Sequence, residues 1–205
     1  VSYGKTEYEK AERETDMAAG KLTLGYVLSQ AVAEDVFMGG AMVTDAYGLP
    51  LEFRYTEPVR ATKLQRILYG DVLEKYIHGD VIAGNLVSRL EQKPELFLVS
   101  DPVVLDAVQA AGRKVVQITA SRVPPLKEFG AWQDISETEY FLQVSESGSP
   151  VRVRLPGYGP DASLRAEATR LLTETGRTMD LAEPAARIEA AIKMLWSDEQ
   201  TPAAA

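Results

Sequence analysis

Apolar residues recur along this chain at two spacings, and the switches between them mark its elements. Leu22, Leu24, Tyr26 and Leu28 fall at period two, which puts them on one face of a first strand. Val36 to Thr44 and Leu49 to Tyr55 supply a second and a third strand. Between these two, Asp45-Ala46-Tyr47-Gly48 has the chemistry of a tight hairpin. Gly39-Gly40 inside the second strand is read as a β-bulge in preference to a close backbone approach.

The period then lengthens. Thr62-Lys63-Leu64-Gln65 matches a capping box and opens a helix with the stripe Leu64, Ile67, Leu68, Val72, Tyr76. Gly79-Asp80 is expected to divide the region into two helices, the second carrying Val81, Ile82, Leu86 and Leu90. The clearest unit covers 95–119. Leu96 to Val99 is a continuous apolar strand, and Ser100 or Asp101 caps a helix with Pro102 in its first turn. That helix carries Val104, Leu105, Val108 and Ala111, and a second apolar strand follows over Lys114 to Thr119. Two apolar strands joined by a helix predict a parallel βαβ crossover.

Tyr140 to Val144 and Pro150 to Leu155 predict a second hairpin, and the Pro/Gly-rich stretch 156–160 a boundary. Two amphipathic helices follow, capped at Asp161 and Asp180. Their stripes are Leu164, Ala168, Leu171, Leu172 and Leu181, Ala185, Ile188, Ile192, Leu195. The expected fold is mixed α/β (α+β). It has a mixed sheet of antiparallel hairpins plus one βαβ crossover, and a helical C-terminal subdomain. The boundaries read as a polar N-terminal arm over 1–20, a mixed α/β domain over 21–155, a helical subdomain over 160–197 and a disordered tail over 198–205.

Composition removes several chemistries. There is no cysteine and one histidine, His78, so thiol nucleophiles, cysteine metal sites and disulfides are excluded. Any Ser-His-Asp device must use His78. Asp80 is placed to orient it as a general base, although a structural role is the preferred reading for a lone helix histidine. The formal charge of −8 argues against a general nucleic-acid binder, so nucleic acid is not an expected partner. No apolar run reaches membrane-spanning length and no signal segment is visible, which points to the cytoplasm and away from membranes.

Three groups of residues are candidates for chemistry. Arg54, Arg60, Lys63 and Arg66 lie in a segment whose only acid is Glu57. Cations beside a helix N-terminus oppose its dipole unless an anion is bound, so the segment is an anion-site candidate. The alternative is a solvated face paired with Glu57, Asp71 and Glu74. The carboxyl ends of the crossover strands gather Ser100, Asp101, Thr119, Ser121 and Arg122, where parallel sheets place ligands. Capping alone also accounts for Ser100 and Asp101. Asp45, Glu52 and Arg54 are loosely similar to the metal-dependent nuclease pattern PD-(D/E)xK, in which two carboxylates hold Mg²⁺.

The segment Gly40-Ala41-Met42-Val43-Thr44-Asp45-Ala46-Tyr47-Gly48-Leu49-Pro50-Leu51 resembles the first hairpin of roadblock/longin-type modules. That resemblance implies a dimeric platform for small GTPases and motors; it assigns no functional residue. With no nucleophile or metal constellation visible, the expected function is a non-catalytic assembly or small-anion-binding module, with no cofactor. Its expected partners are a phosphorylated or carboxylate small molecule and, by self-association as a homo-oligomer, a second copy. One alternative is a Mg-dependent phosphoesterase or nuclease-like enzyme acting on phosphorylated substrates through Asp45 and Glu52, or through Asp101. A second is nucleic-acid binding through the basic segment 54–66.

Overall fold

The structure, a computed structural model, describes residues 22–157 and 161–200. The expected N-terminal arm and the last residues of the expected tail lie outside them. A nine-stranded mixed sheet forms the centre. Its strands are β1 (Thr23–Ala33), β2 (Val36–Asp45), β3 (Pro50–Tyr55), β4 (Val59–Arg60), β5 (Leu96–Val99), β6 (Val115–Ala120), β7 (Trp132–Asp134), β8 (Glu139–Leu142) and β9 (Val151–Arg154). Their order is β3-β2-β1-β5-β6-β9-β8-β7, with β4 also pairing β2. β1, β5 and β6 run parallel, and the remaining pairs are antiparallel. The helices are α1 (Lys63–Tyr69), α2 (Leu73–Tyr76), α3 (Asn85–Arg89), α4 (Pro102–Ala110), α5 (Ala162–Thr175) and α6 (Glu183–Gln200). A π-helical segment, Ile77–Gly84, joins α2 to α3.

Alternation along β1 divides the core in two. Leu24 and Tyr26 face a cluster completed by Leu171, Leu172, Ile188 and Ile192 of α5 and α6. Val27 faces the other, with Leu73, Ile77, Ile82, Leu86 and the α4 residues Val104, Leu105 and Val108. The chain is thus a mixed α/β fold with helices on both faces of the sheet. α5 and α6, which follow the 156–160 stretch, share their core with β1 and β2.

The hairpin, the crossover and the caps form as the sequence indicates. Asp45 Oδ1 accepts the backbone N–H groups of Tyr47 and Leu49, each at 2.9 Å, and Gly48 has φ +79°. Asp101 caps α4 by accepting from Val103 at 2.6 Å. Asp161 caps α5 by accepting from Leu164 at 2.9 Å.

Three expectations need correction. The pairing of β1 with β2 runs unbroken through Ser29↔Gly39 and Leu28↔Gly40, so the two glycines form no bulge. They are there for close approach: a Cβ on Gly39 would lie 2.2 Å from Ile82 Cγ2, and one on Gly40 2.7 Å from Ile188 Cγ2. The helical region is not broken at Gly79, because wider π turns carry the backbone through it to α3. The stripe of α1 is not buried: Leu64, Ile67 and Leu68 are 64%, 79% and 70% exposed. The capping box at Thr62 sets this helix without packing, and core contact begins only at Leu73 and Ile77.

Candidate functional site

The carboxyl ends of β1, β5 and β6 open at one edge of the sheet, where ligand sites form in parallel arrangements. Ser29 projects there from β1 on the Val27 face, and the π-helical segment brings His78 to it. Ser29 Oγ and His78 Nδ1 are 2.7 Å apart. The edge of the imidazole meets the ring of Phe37, with centroids 5.1 Å apart. π turns are concentrated at functional sites, because they re-aim one side chain within a helix.

His78 is half-buried. Burial lowers its pKa below the ordinary value, and the charges of Asp101 and Glu74 oppose that shift only in part. The ring is therefore neutral near pH 7. Two neutral tautomers suit this contact: Nδ1 accepts the Ser29 hydroxyl proton while the ring proton sits on Nε2, or Nδ1–H donates to Ser29 Oγ and leaves the Nε2 lone pair free. Asp101, the aspartate whose charge reaches His78, stands on the first turn after β5.

The residues proposed at this mouth take different parts. Gln117 of β6 donates from Nε2 to the Ser100 carbonyl at 2.7 Å, tying β6 to the turn after β5. Thr119 is half-exposed and pairs in register with Arg152 of β9. Ser121 donates its hydroxyl to the Pro150 carbonyl, which anchors β9. Arg122 is exposed. Sequence reasoning placed Ser100 and Asp101 at this mouth and did not single out Ser29. It placed Asp80, not Ser29, beside His78. No local pattern links a strand serine to a histidine in a distant helix.

The basic segment does not converge. Arg54 lies in register with Ala41 and Arg60 with Val36, which separates them by about 16 Å along β2. Arg54 binds Glu52 at 2.8 Å and Glu91 at 2.7 Å. Arg60 stacks on Trp196, 5.6 Å from the ring centre, and reaches Glu199 at 3.4 Å. Arg66 pairs with Asp35 and, at 3.7 Å, with Glu74. Lys63 is exposed.

The carboxylates considered for metal binding are also dispersed. Asp45 is engaged in the hairpin turn and pairs with Thr23 at the start of β1, away from Ser29. Glu52 accepts the backbone N–H groups of Glu91 at 3.0 Å and Gln92 at 2.8 Å. Among the described residues no group of three or more His, Asp or Glu side chains converges to hold a metal ion. No helix among them is long and apolar enough to cross a membrane.

No family model matches the sequence, and no curated protein sequence matches it. Solved structures do. Endonuclease V from Streptomyces avermitilis aligns over 98% of this chain and 97% of its own, at 15% identity and a TM-score of 0.61. Endonuclease V from Bacillus subtilis aligns over 98% and 96%, at 14% identity and a TM-score of 0.60. Endonuclease V from Ciona intestinalis, in complex with a 24mer DNA containing an inosine followed by a ribo-adenosine, aligns over 92% and 98%, at 11% identity and a TM-score of 0.52. Identities this low establish the fold. That fold overturns the roadblock/longin resemblance: the hairpin of β2 and β3 belongs to a sheet continued by parallel strands β5 and β6, not to an antiparallel meander. The expectation that nucleic acid is no partner does not stand against a fold that holds DNA in the Ciona protein, because net charge does not report a local contact surface. The structures that share this architecture are those of endonucleases, which stands closer to the nuclease-like alternative than to the expected non-catalytic assembly or anion-binding module. The chain thus has the fold of the endonuclease V structures, which align with 98% of it.

Proposed function

We propose that this protein is a nuclease-type protein that acts on nucleic acid, engaging a strand at the carboxyl edge of β1, β5 and β6. One observation carries the reading: in a chain that aligns almost end to end with endonuclease V structures, Ser29, His78 and Asp101 gather at that edge. The reaction class is phosphodiester hydrolysis. In the tautomer that donates Nδ1–H to Ser29 Oγ, neutral His78 keeps its Nε2 lone pair free and is the group placed to accept a proton from an attacking water. Asp101 favours the imidazolium that would result.

A divalent cation assisting such a reaction needs several oxygen ligands at short range. The described residues do not supply them, since no three acidic or histidine side chains converge. No step is therefore routed through a metal, and Asp45 and Glu52 take no part. That mismatch favours a second reading, in which the strand is bound at the same edge without hydrolysis.

The deciding experiment measures binding and cleavage of labelled single- and double-stranded DNA and RNA, with and without inosine. Assays run with Mg²⁺, with Mn²⁺ and in EDTA, on the wild type and on His78→Gln. Salt-dependent binding together with cleavage lost in His78→Gln supports the nuclease reading. Binding without cleavage under every condition selects the second reading. Absence of binding to all of these nucleic acids refutes both.

A further inference from the structure

The sheet continues past the Ser29–His78 edge without a covering helix. On the α4 side of β6, β9 and β8, side chains line up in two rows across the strands. Thr119, Arg152 and Phe141 are register partners in one, and Gln117, Arg154 and Glu139 in the other. Five of these six residues surround a shallow cavity of about 180 Å³, Phe141 being the exception. Arg152 and Arg154 are 47% and 48% exposed. They share a single carboxylate: Glu139 bonds Arg152 directly and lies 3.6 Å from Arg154 Nε. The cluster therefore keeps a net positive charge in a chain of −8.

Position makes this cluster relevant to the edge site. The parallel register places Ser29 of β1 level with the turn after β5, and Thr119 of β6 level with Arg152 of β9. Three strand spacings, about 14 Å, separate Ser29 from Arg152 across the sheet. A strand crossing the sheet from the edge site meets guanidinium groups, which suit phosphate oxygens. It also meets the half-buried ring of Phe141, on which a base can stack.

We propose that the open face of β6, β9 and β8 is a phosphate track for a single nucleic-acid strand running from the Ser29–His78 edge. Arg152 and Arg154 are its cations, and Glu139 is the internal competitor that holds them when no strand is bound. The inference rests on the reading of the protein as one that acts on nucleic acid. It adds the single-stranded form of the ligand and the direction in which the strand leaves the site.

The test is fluorescence anisotropy with unstructured 12-mers of deoxythymidine and uridine, titrated across salt concentrations. Arg152→Ala/Arg154→Ala should weaken binding about tenfold and flatten the slope of log K against log salt by about 1.4, two single-strand phosphate contacts. Arg152→Lys/Arg154→Lys should restore the slope, and Glu139→Gln should tighten binding. Both arginines are on the surface, and an unchanged thermal midpoint shows that the double variant is folded. An alanine variant with wild-type affinity and slope overturns the track while leaving the edge site standing. A wild type that binds duplexes but neither 12-mer also overturns the track alone. A wild type that binds no nucleic acid overturns both proposals.

Discussion

Ser29 and His78 lie 49 positions apart in the chain and 2.7 Å apart in space. The contact joins the middle of the central strand to a π-helical segment, and it orients the one histidine of the molecule at the carboxyl edge of the parallel strands. The same burial that keeps the ring neutral makes folding sensitive to pH. An unperturbed histidine titrates near 6.5, and His78 titrates below that. Its contribution to stability is complete above about pH 6.5. As pH falls from there through the lowered value, the unfolded chain takes up the proton first and stability is lost. Urea midpoints between pH 7.5 and 5 should therefore fall more steeply in the wild type than in His78→Gln. The difference should be below about 1 kcal/mol, because solvent screens a half-exposed ring. Parallel curves for the two proteins would show that the ring is not held neutral.

Gly39 gives a second expectation. A Cβ there meets Ile82 Cγ2 at 2.2 Å and the Leu28 carbonyl oxygen at 2.9 Å. The isoleucine can yield, but the carbonyl belongs to the β1 ladder and cannot. Gly39→Ala should cost about 1–3 kcal/mol by overpacking. Combined with Ile82→Ala, it should cost less than the sum of the single changes, with a coupling of about 1 kcal/mol. A double-mutant cycle read by chemical denaturation checks this, and simple additivity would mean that the strand shifts away from the π-helical segment.

What the sequence showed of this architecture depended on whether the signal was local. The crossover at 95–119 was legible because two continuous apolar strands flank a capped helix, and parallel pairing follows from connectivity. The hairpin at Asp45–Gly48 was legible from turn chemistry. The Gly39-Gly40 pair was misread because a bulge and a close approach demand the same residue, and only the position of Ile82 separates them. The edge site was half legible: the carboxyl-end rule finds Ser100 and Asp101, whereas Ser29 looks like any polar strand residue until His78 is set beside it. Arg152 and Arg154 lie in the second expected hairpin but were not singled out, because their bearing on the edge site appears only once β9 is seen to pair with β6.

The exposed stripe of α1 illustrates the limit of periodicity. Leu64, Ile67 and Leu68 repeat as core residues do, but the sheet presents no surface to receive them, and Leu73 is the first residue of the region to be buried, at 2% exposure. Ile67→Lys should change stability by no more than about 0.5 kcal/mol. Leu73→Ala should cost about 2–5 kcal/mol through the cavity it leaves. Thermal denaturation of the two variants side by side separates the cases, and a large loss for Ile67→Lys would place that face against the rest of the fold.

Glu52 shows how a carboxylate suited to metal chemistry can be wholly engaged in structure. Its side chain is only 11% exposed, and that partial burial raises its pKa. The Gln92 N–H, the Arg54 guanidinium and the Glu91 N–H together outweigh the burial, so the carboxyl titrates below its usual value. These bonds fasten the chain after α3 to the edge strand β3. Glu52→Gln keeps one acceptor oxygen but loses the charge and the second oxygen, and should cost about 1–2 kcal/mol near neutral pH. The sign of the pH effect follows from the lowered value. Stability from the ionised form is present above about pH 4.5 and disappears as pH falls through the folded pKa, so the gap between wild type and variant should close in acid. Denaturant titrations at pH 7 and near pH 3 measure both differences. An equal gap at the two values would mean that shape, and not ionisation, is what Glu52 contributes.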